Sequence, residues 1–320
     1  MLNILRTNQP FVFIVFGWSI MLLHLIVHFN DPYGFEGDHL FFNLIGILPK
    51  FLFYVLIYIV VFFTAFNINI IINRSVLFPK SFYLPGLLYI VLMSCFDSIE
   101  EFVLPIVANL FLVFALGNLL KIFRNESCKN LVFKASLHIL ISSVFFSLNI
   151  FLIPLIWVVL FIIRPFKWRE YVMPIITLIV LSAYVVPFGI INKNLSAVLM
   201  TWWETGLISY FESTNLIMQL FTGFVAITFI LSIRPIARTF LHSNNRFKRV
   251  VWVVIAMLIC TLLLCVIDLL IYNRPFGAII PFFVPLAIFL SNGFIRSKYK
   301  WLCDGSLVLF IVGVFIAHFV

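Results

Sequence analysis

Apolar runs follow one another along almost the whole chain, and the charges in the gaps between them alternate in sign. Short basic clusters fill every second gap, and acidic residues fill most of the others. Of the 21 Lys and Arg residues, 18 fall in one set of gaps and 3 in the other. A run of about 20 mainly apolar residues is the length that crosses a bilayer core as a helix. Lysine and arginine are retained on the cytoplasmic side of such spans. The alternation therefore reads as a membrane topology. With 64% hydrophobic and 10% charged residues, the apolar side chains are too many for one water-soluble core.

The runs predict an all-α polytopic membrane protein with about eleven transmembrane helices, in a range of nine to twelve, forming a single integral membrane domain over 1–320. The spans fall at about 10–28, 51–72, 82–96, 102–120, 132–148, 150–163, 171–192, 215–233, 250–272, 277–294 and 301–320. Residues 132–148 and 150–163 form a tight hairpin with its tip near Asn149. Interfacial helices are expected on the external side over 41–50 and within 193–214, where Trp202, Trp203, Tyr210 and Phe211 stand beside Glu204 and Glu212. Arg6 ahead of the first run places the N-terminus inside, in the manner of an uncleaved anchor. An odd number of spans places the C-terminus outside. The expected location is the bacterial inner, or cytoplasmic, membrane, with the N-terminus cytoplasmic and the C-terminus periplasmic.

Several function classes drop out. The net charge of +9 is dispersed in clusters of two to five residues at the ends of runs, which is not the continuous stripe that holds nucleic acid. The five cysteines show no CxxC pair and no Cys/His ligand spacing, so neither a disulfide framework nor a zinc site is expected. Signatures of soluble enzymes, such as GxSxG, the P-loop and HExxH, are missing. The sequence names no cofactor.

Polar residues inside a membrane protein are costly and so mark structure or chemistry. Nine of the twelve carboxylates fall in the external gaps: Asp31, Glu36, Asp38, Asp97, Glu100, Glu101, Glu204, Glu212 and Asp268. They admit two readings. Acids are the soluble charges left once Lys and Arg are retained inside, and a carboxylate held between a span and an interfacial segment can also act as a general base. Asp31 and Asp38 are the candidate catalytic residues on the second reading. Lys50, Lys193 and Arg274 are the three bases on the acidic side. They can hold a lipid phosphate, Arg274 through a bidentate guanidinium contact, or snorkel and pair with a nearby acid. Asn67, Asn69, Asn109, Asn118, Gln219, His24 and His138 lie within apolar runs and are expected to bond between helices.

The block from Leu104 to Leu116 (LPIVANLFLVFAL), the stretch from Ile162 to Tyr171 (IIRPFKWREY) and the opening from Leu5 to Pro10 (LRTNQP) together resemble an uncharacterised family of polytopic inner-membrane proteins of Bacteroidota, a family without an assigned activity. A wider resemblance is to the C-type glycosyltransferases, which use polyprenyl-phosphate sugars at the outer membrane face. It rests on the acidic first loop, the interfacial segment after it, and hairpins closing in a basic and aromatic turn. That resemblance implies Asp31 or Asp38 as the base that activates an acceptor hydroxyl, with Arg274 or Lys193 on the lipid phosphate. The partners it implies are membrane lipids, among them a polyprenyl-phosphate lipid.

Three readings follow. The first is a glycosyltransferase-like protein that binds or acts on a lipid-linked precursor of the cell envelope at the external face. The second is a non-catalytic membrane subunit or scaffold that contacts other membrane proteins. The third is a small-molecule or lipid transporter, which calls for a midplane site with broken helices and intramembrane charge, a description that only Asp268 approaches.

Overall fold

The computed structural model describes residues 10–28, 50–75, 77–78, 82–94, 102–124, 128–191, 216–272 and 277–297, with single positions at 305, 308, 309 and 313. Among them all regular structure is helical. The elements are α1 (Pro10–His28), α2 (Lys50–Arg74), α3 (Leu84–Met93), α4 (Val103–Lys121) with a 3-10 turn at Ile122–Arg124, α5 (Lys129–Phe145), a 3-10 segment at Ser147–Leu152, α6 (Ile153–Ile163), α7 (Trp168–Tyr171), α8 (Met173–Ile191), α9 (Leu216–His242), α10 (Asn245–Tyr272) and α11 (Ile279–Arg296). Five of these, α2, α4, α9, α10 and α11, are long and apolar enough to cross a membrane. Lipid contact follows from their exposed side chains, which include Phe51, Leu56, Ile59 and Phe63 on α2 and Ile227, Ile230 and Leu231 on α9.

α11 is the centre of the bundle. It packs against α9, α10, α3 and α4, and 72% of its spanning window is buried, against 17% for α9 at the periphery. α4 and α5 form the most extensive pair, α2 packs on α3 and α4, and α6 joins the bundle through α10. α3 is apolar around its whole circumference and buried at every one of its ten residues. At about 1.5 Å per residue it rises only about 15 Å, half a bilayer core. A helix that is apolar all round belongs in a core, and here other helices supply that core.

Two connections differ from their expected form. The hairpin between α5 and α6 turns at Phe146, whose backbone is extended, and the chain re-enters through the 3-10 segment. Asn149 is therefore a buried residue, not a solvated tip, and its Nδ2 donates to Ser142 Oγ at 2.7 Å. The eighth run was expected to end near 233, where the basic cluster begins. α9 instead runs on through Arg234, Pro235 and Arg238 to His242, and only Ser243 and Asn244 separate it from α10. Charge ends the apolar run but does not end the helix, since arginine is a good helix former that lies readily at the water interface.

Candidate functional site

The helix ends sort the charges onto two faces. On one face, Arg296 of α11 donates from Nη2 to the carbonyl of Leu77, just beyond α2, at 2.9 Å, and its guanidinium lies 4.3 Å from the Phe247 ring centroid at the start of α10. Arg164, after α6, donates to the Ile122 carbonyl after α4 at 3.0 Å. Arg249 of α10 donates to the Ile163 carbonyl, the last of α6, at 2.7 Å. A helix leaves its last carbonyls without intrahelical partners and carries partial negative charge at that end. Arg164 and Arg249 satisfy such carbonyls and Arg296 bonds the turn beyond α2, which together tie α2, α4, α6, α10 and α11 at one face. The basic clusters are thus structural caps as well as topological markers.

Fourteen described Lys and Arg residues belong to this face: Arg74, Lys121, Arg124, Lys129, Lys134, Arg164, Lys167, Arg169, Arg234, Arg238, Arg246, Lys248, Arg249 and Arg296. One described acid stands among them, Glu170. It is buried and pairs with Arg164 at 3.6 Å. Next to this pair, burial pushes the thiol of Cys128 above its ordinary range, against the pull of the Arg164 charge. Trp157 Nε1 donates to the Tyr171 carbonyl at 2.9 Å and holds α7 to α6.

One sequence candidate, Lys50, begins its helix at the opposite face. α2 begins at Lys50 and ends at Arg74 on the basic face, so the backbone of Lys50 lies at the other end, roughly 36 Å away at 1.5 Å per residue. Its side chain lies outside the described residues. Asp31, Asp38, Lys193 and Arg274 also lie outside them, as does Glu36, and Arg274 falls in the stretch between Tyr272 of α10 and Gly277 before α11. No distance among these five candidates is therefore defined.

Asp268 is the acid described at that end. It is 4% exposed, and its Oδ2 accepts the amide of Ala278, the residue that opens α11, at 3.2 Å. Cys265 Sγ donates to the carbonyl of the same residue at 3.1 Å. Gly277 fits between this carboxylate and Phe146, whose ring carbon stands 3.2 Å from where a Cβ would lie. A carboxylate at the positive end of a helix is favourably placed, so Asp268 acts in the structure as the anchor of α11.

A buried polar seam continues inward. Asn109 Nδ2 donates to Tyr89 Oη and to the Ile280 carbonyl, both at 3.0 Å, joining α4 to α3 and α11. Ser142 Oγ donates to the Ala108 carbonyl at 2.8 Å and accepts from Asn149, joining α5 and the 3-10 segment to α4. Asn69 Oδ1 accepts the Gly86 amide at 2.7 Å, joining α2 to α3. Asn69 and Asn109 thus bond between helices as expected, whereas Asn67 donates to Phe63 and His138 contacts the Lys134 carbonyl, each within its own helix. The interhelical Ser142 and the arginine caps were missed at the sequence level. A serine in an apolar run carries no spacing signal, and an arginine at a run end is already explained by topology.

No protein-family model, no curated protein and no solved structure matches the chain. The described residues form an all-helical protein with several apolar helices suited to a membrane, and all the described bases but Lys50 gather at one end of the bundle.

Proposed function

We propose that the chain is a multi-pass protein of the bacterial inner membrane, with about eleven spans and the basic face in the cytoplasm, and that its acid-bearing outer face binds or acts on a lipid-linked envelope precursor. The observation that carries the reading is the sorting of charge. Among the described residues the bases are tied to one end of the bundle, while Lys50 begins its helix at the other, against the topological trend. Lys50, Lys193 and Arg274 there suit a lipid phosphate at headgroup depth. On a glycosyltransferase-C-like scaffold, Asp31 or Asp38 takes the proton of an acceptor hydroxyl as its oxygen bonds to the anomeric carbon. The bond from that carbon to the phosphate oxygen breaks, and the departing polyprenyl phosphate keeps the electron pair, its charge held by Arg274 or Lys193.

The topology is tested first. In a variant freed of native cysteines, Lys193→Cys should react with a membrane-impermeant maleimide on intact spheroplasts, and Lys167→Cys only after lysis. The reverse pattern overturns the orientation. The ligand is tested by native mass spectrometry of the detergent-purified protein. Wild type and Asp38→Asn should retain a polyprenyl-phosphate adduct that Arg274→Ala loses. Bulk phospholipid alone, or a retained protein partner, removes the lipid-linked reading.

One observation favours the second reading, a non-catalytic membrane subunit. Asn69, Asn109, Ser142 and Asp268, buried inside the bundle, bond to neighbouring elements, as they would in a scaffold.

A further inference from the structure

On the basic face two arginines share one aromatic ring, and neither meets a carboxylate among the described residues. Arg246 and Arg249, one turn apart at the start of α10, both lie over the ring of Phe123, at 5.6 and 5.8 Å from its centroid. Phe123 belongs to the 3-10 turn after α4, whose Ile122 carbonyl is already taken by Arg164. Three guanidinium groups therefore converge on one turn. Arg164 has Glu170 as its counter-ion, and Glu170 is the one acid among the described residues of this face. Glu126, the acid nearest to Phe123 in sequence, lies outside the described residues. Arg249 is fixed by its bond to the Ile163 carbonyl, while Arg246 is exposed beside it.

Cations gathered around one ring repel one another, and an anion among them relieves that repulsion. The first turn of α10 adds to the repulsion, since it contains Arg246, Lys248 and Arg249 and no acid, and it is the end of the helix that already carries positive charge. The depth of the patch indicates which anion. Phe166 and Trp168 on the same face are 72% and 62% exposed, as interfacial anchors are, and the apolar flanks of the bundle begin directly beyond. A cation pair at that level meets phospholipid phosphates.

We propose that Arg246 and Arg249, stacked on Phe123, hold the phosphodiester of an anionic phospholipid in the leaflet on the basic side. The chemistry is a bidentate guanidinium contact to a singly charged phosphate, with the aromatic ring orienting both cations. The site lies at the opposite end of the bundle from the outer-face ligand and is independent of it.

The test uses the full chain, purified, delipidated in detergent and re-exposed to phosphatidylglycerol or phosphatidylcholine before native mass spectrometry. Wild type should retain phosphatidylglycerol several-fold more than phosphatidylcholine. Arg246→Gln should reduce that retention at least fivefold, and Arg246→Lys, which keeps the charge but not the fork, should fall between them. Arg234→Gln, the same charge change elsewhere on this face, should stay within twofold of wild type, and millimolar inorganic phosphate should not displace the lipid. Arg246 donates no hydrogen bond to another described residue, so a melting curve should confirm that its variants fold. Equal losses in Arg234→Gln and Arg246→Gln would reduce the effect to diffuse attraction. Displacement by inorganic phosphate would make it a free-anion site, and equal retention of both lipids would remove it.

Discussion

Gly86→Ala should be among the most destabilising changes of a single methyl group in the bundle. A Cβ at Gly86 would stand 2.4 Å from Asn69 Nδ2 and 2.5 Å from the backbone carbonyl of Ala65. The first neighbour is a side chain that is itself completely buried, and the second is main chain of α2, so neither yields without moving a helix. The same contact carries a hydrogen bond. Gly86 is the third residue of α3, where amides lack intrahelical partners. Tyr83 at the N-cap offers no side-chain bond, and Asn69 of α2 supplies the acceptor in its place. One turn on, Asn73 Oδ1 accepts the amide of Phe82 at 2.9 Å. α2 therefore caps α3, and the cap requires the two backbones to approach as closely as only glycine allows.

Overpacking a core costs about 1–3 kcal/mol, and stranding a buried donor adds about 1–3 kcal/mol. A loss of about 3–5 kcal/mol is a large share of the stability of a typical domain. Thermal unfolding in detergent, followed by circular dichroism, measures it. Asn69→Ala removes the cap without the clash and should cost less. Gly223→Ala on α9, where a Cβ meets nothing within 4 Å, should be neutral or stabilising by up to about 1 kcal/mol, because alanine replaces glycine in a helix interior. If Gly86→Ala melts within two degrees of wild type, α2 and α3 do not pack in this way.

The contrast between these two glycines shows what sequence could and could not reveal. Apolar runs and basic gaps were legible because they answer to the solvent, and α2, α4, α10 and α11 lie where the runs predict them. Helix pairing was not legible. α2 and α4 are apolar on every side, so no stripe of residues says which face meets a neighbour. Asn69 was recognised as a polar residue with interhelical work to do, but its partner is a backbone amide, which every residue offers. Asp268 looked like a functional intramembrane charge, because nothing in its own run reveals that Ala278, ten residues on, brings an amide to it. Asn149 read as a hairpin tip because asparagine favours turns, yet Ser142 one helix back draws it inside. The outer-face candidates were legible as residue types alone, since charge against the topological trend is visible in sequence and their mutual geometry is not.

Arg164→Met should produce the other large effect, and a double-mutant cycle separates its cause from mere loss of bulk. The side chains of Arg164 and Glu170 are 15% and 6% exposed, and their nearest charged atoms are 3.6 Å apart. Removing one partner of a buried pair costs about 3–5 kcal/mol, because the remaining charge stays desolvated. The partial exposure of Arg164 lets some water in, so the lower end, about 3 kcal/mol, is expected. Part of it comes from the Ile122 carbonyl, which loses the guanidinium that caps the turn after α4. Glu170→Gln alone should cost about 1 kcal/mol, since the amide oxygen keeps a dipole beside the guanidinium and Arg164 keeps its bond to Ile122. If the pair acts as a unit, Arg164→Met with Glu170→Gln should be more stable than the two single losses predict, by about 1–2 kcal/mol, within the range of coupled neighbours. An additive cycle would show that Arg164 stabilises through Ile122 alone. The cycle also bears on the headgroup patch, because the turn that Arg164 caps is the one that presents Phe123 to Arg246 and Arg249. Loosening that turn should weaken retention of phosphatidylglycerol even though neither of the two lipid-binding arginines has changed. Glu170→Gln, which leaves the Arg164 cap in place, should retain it.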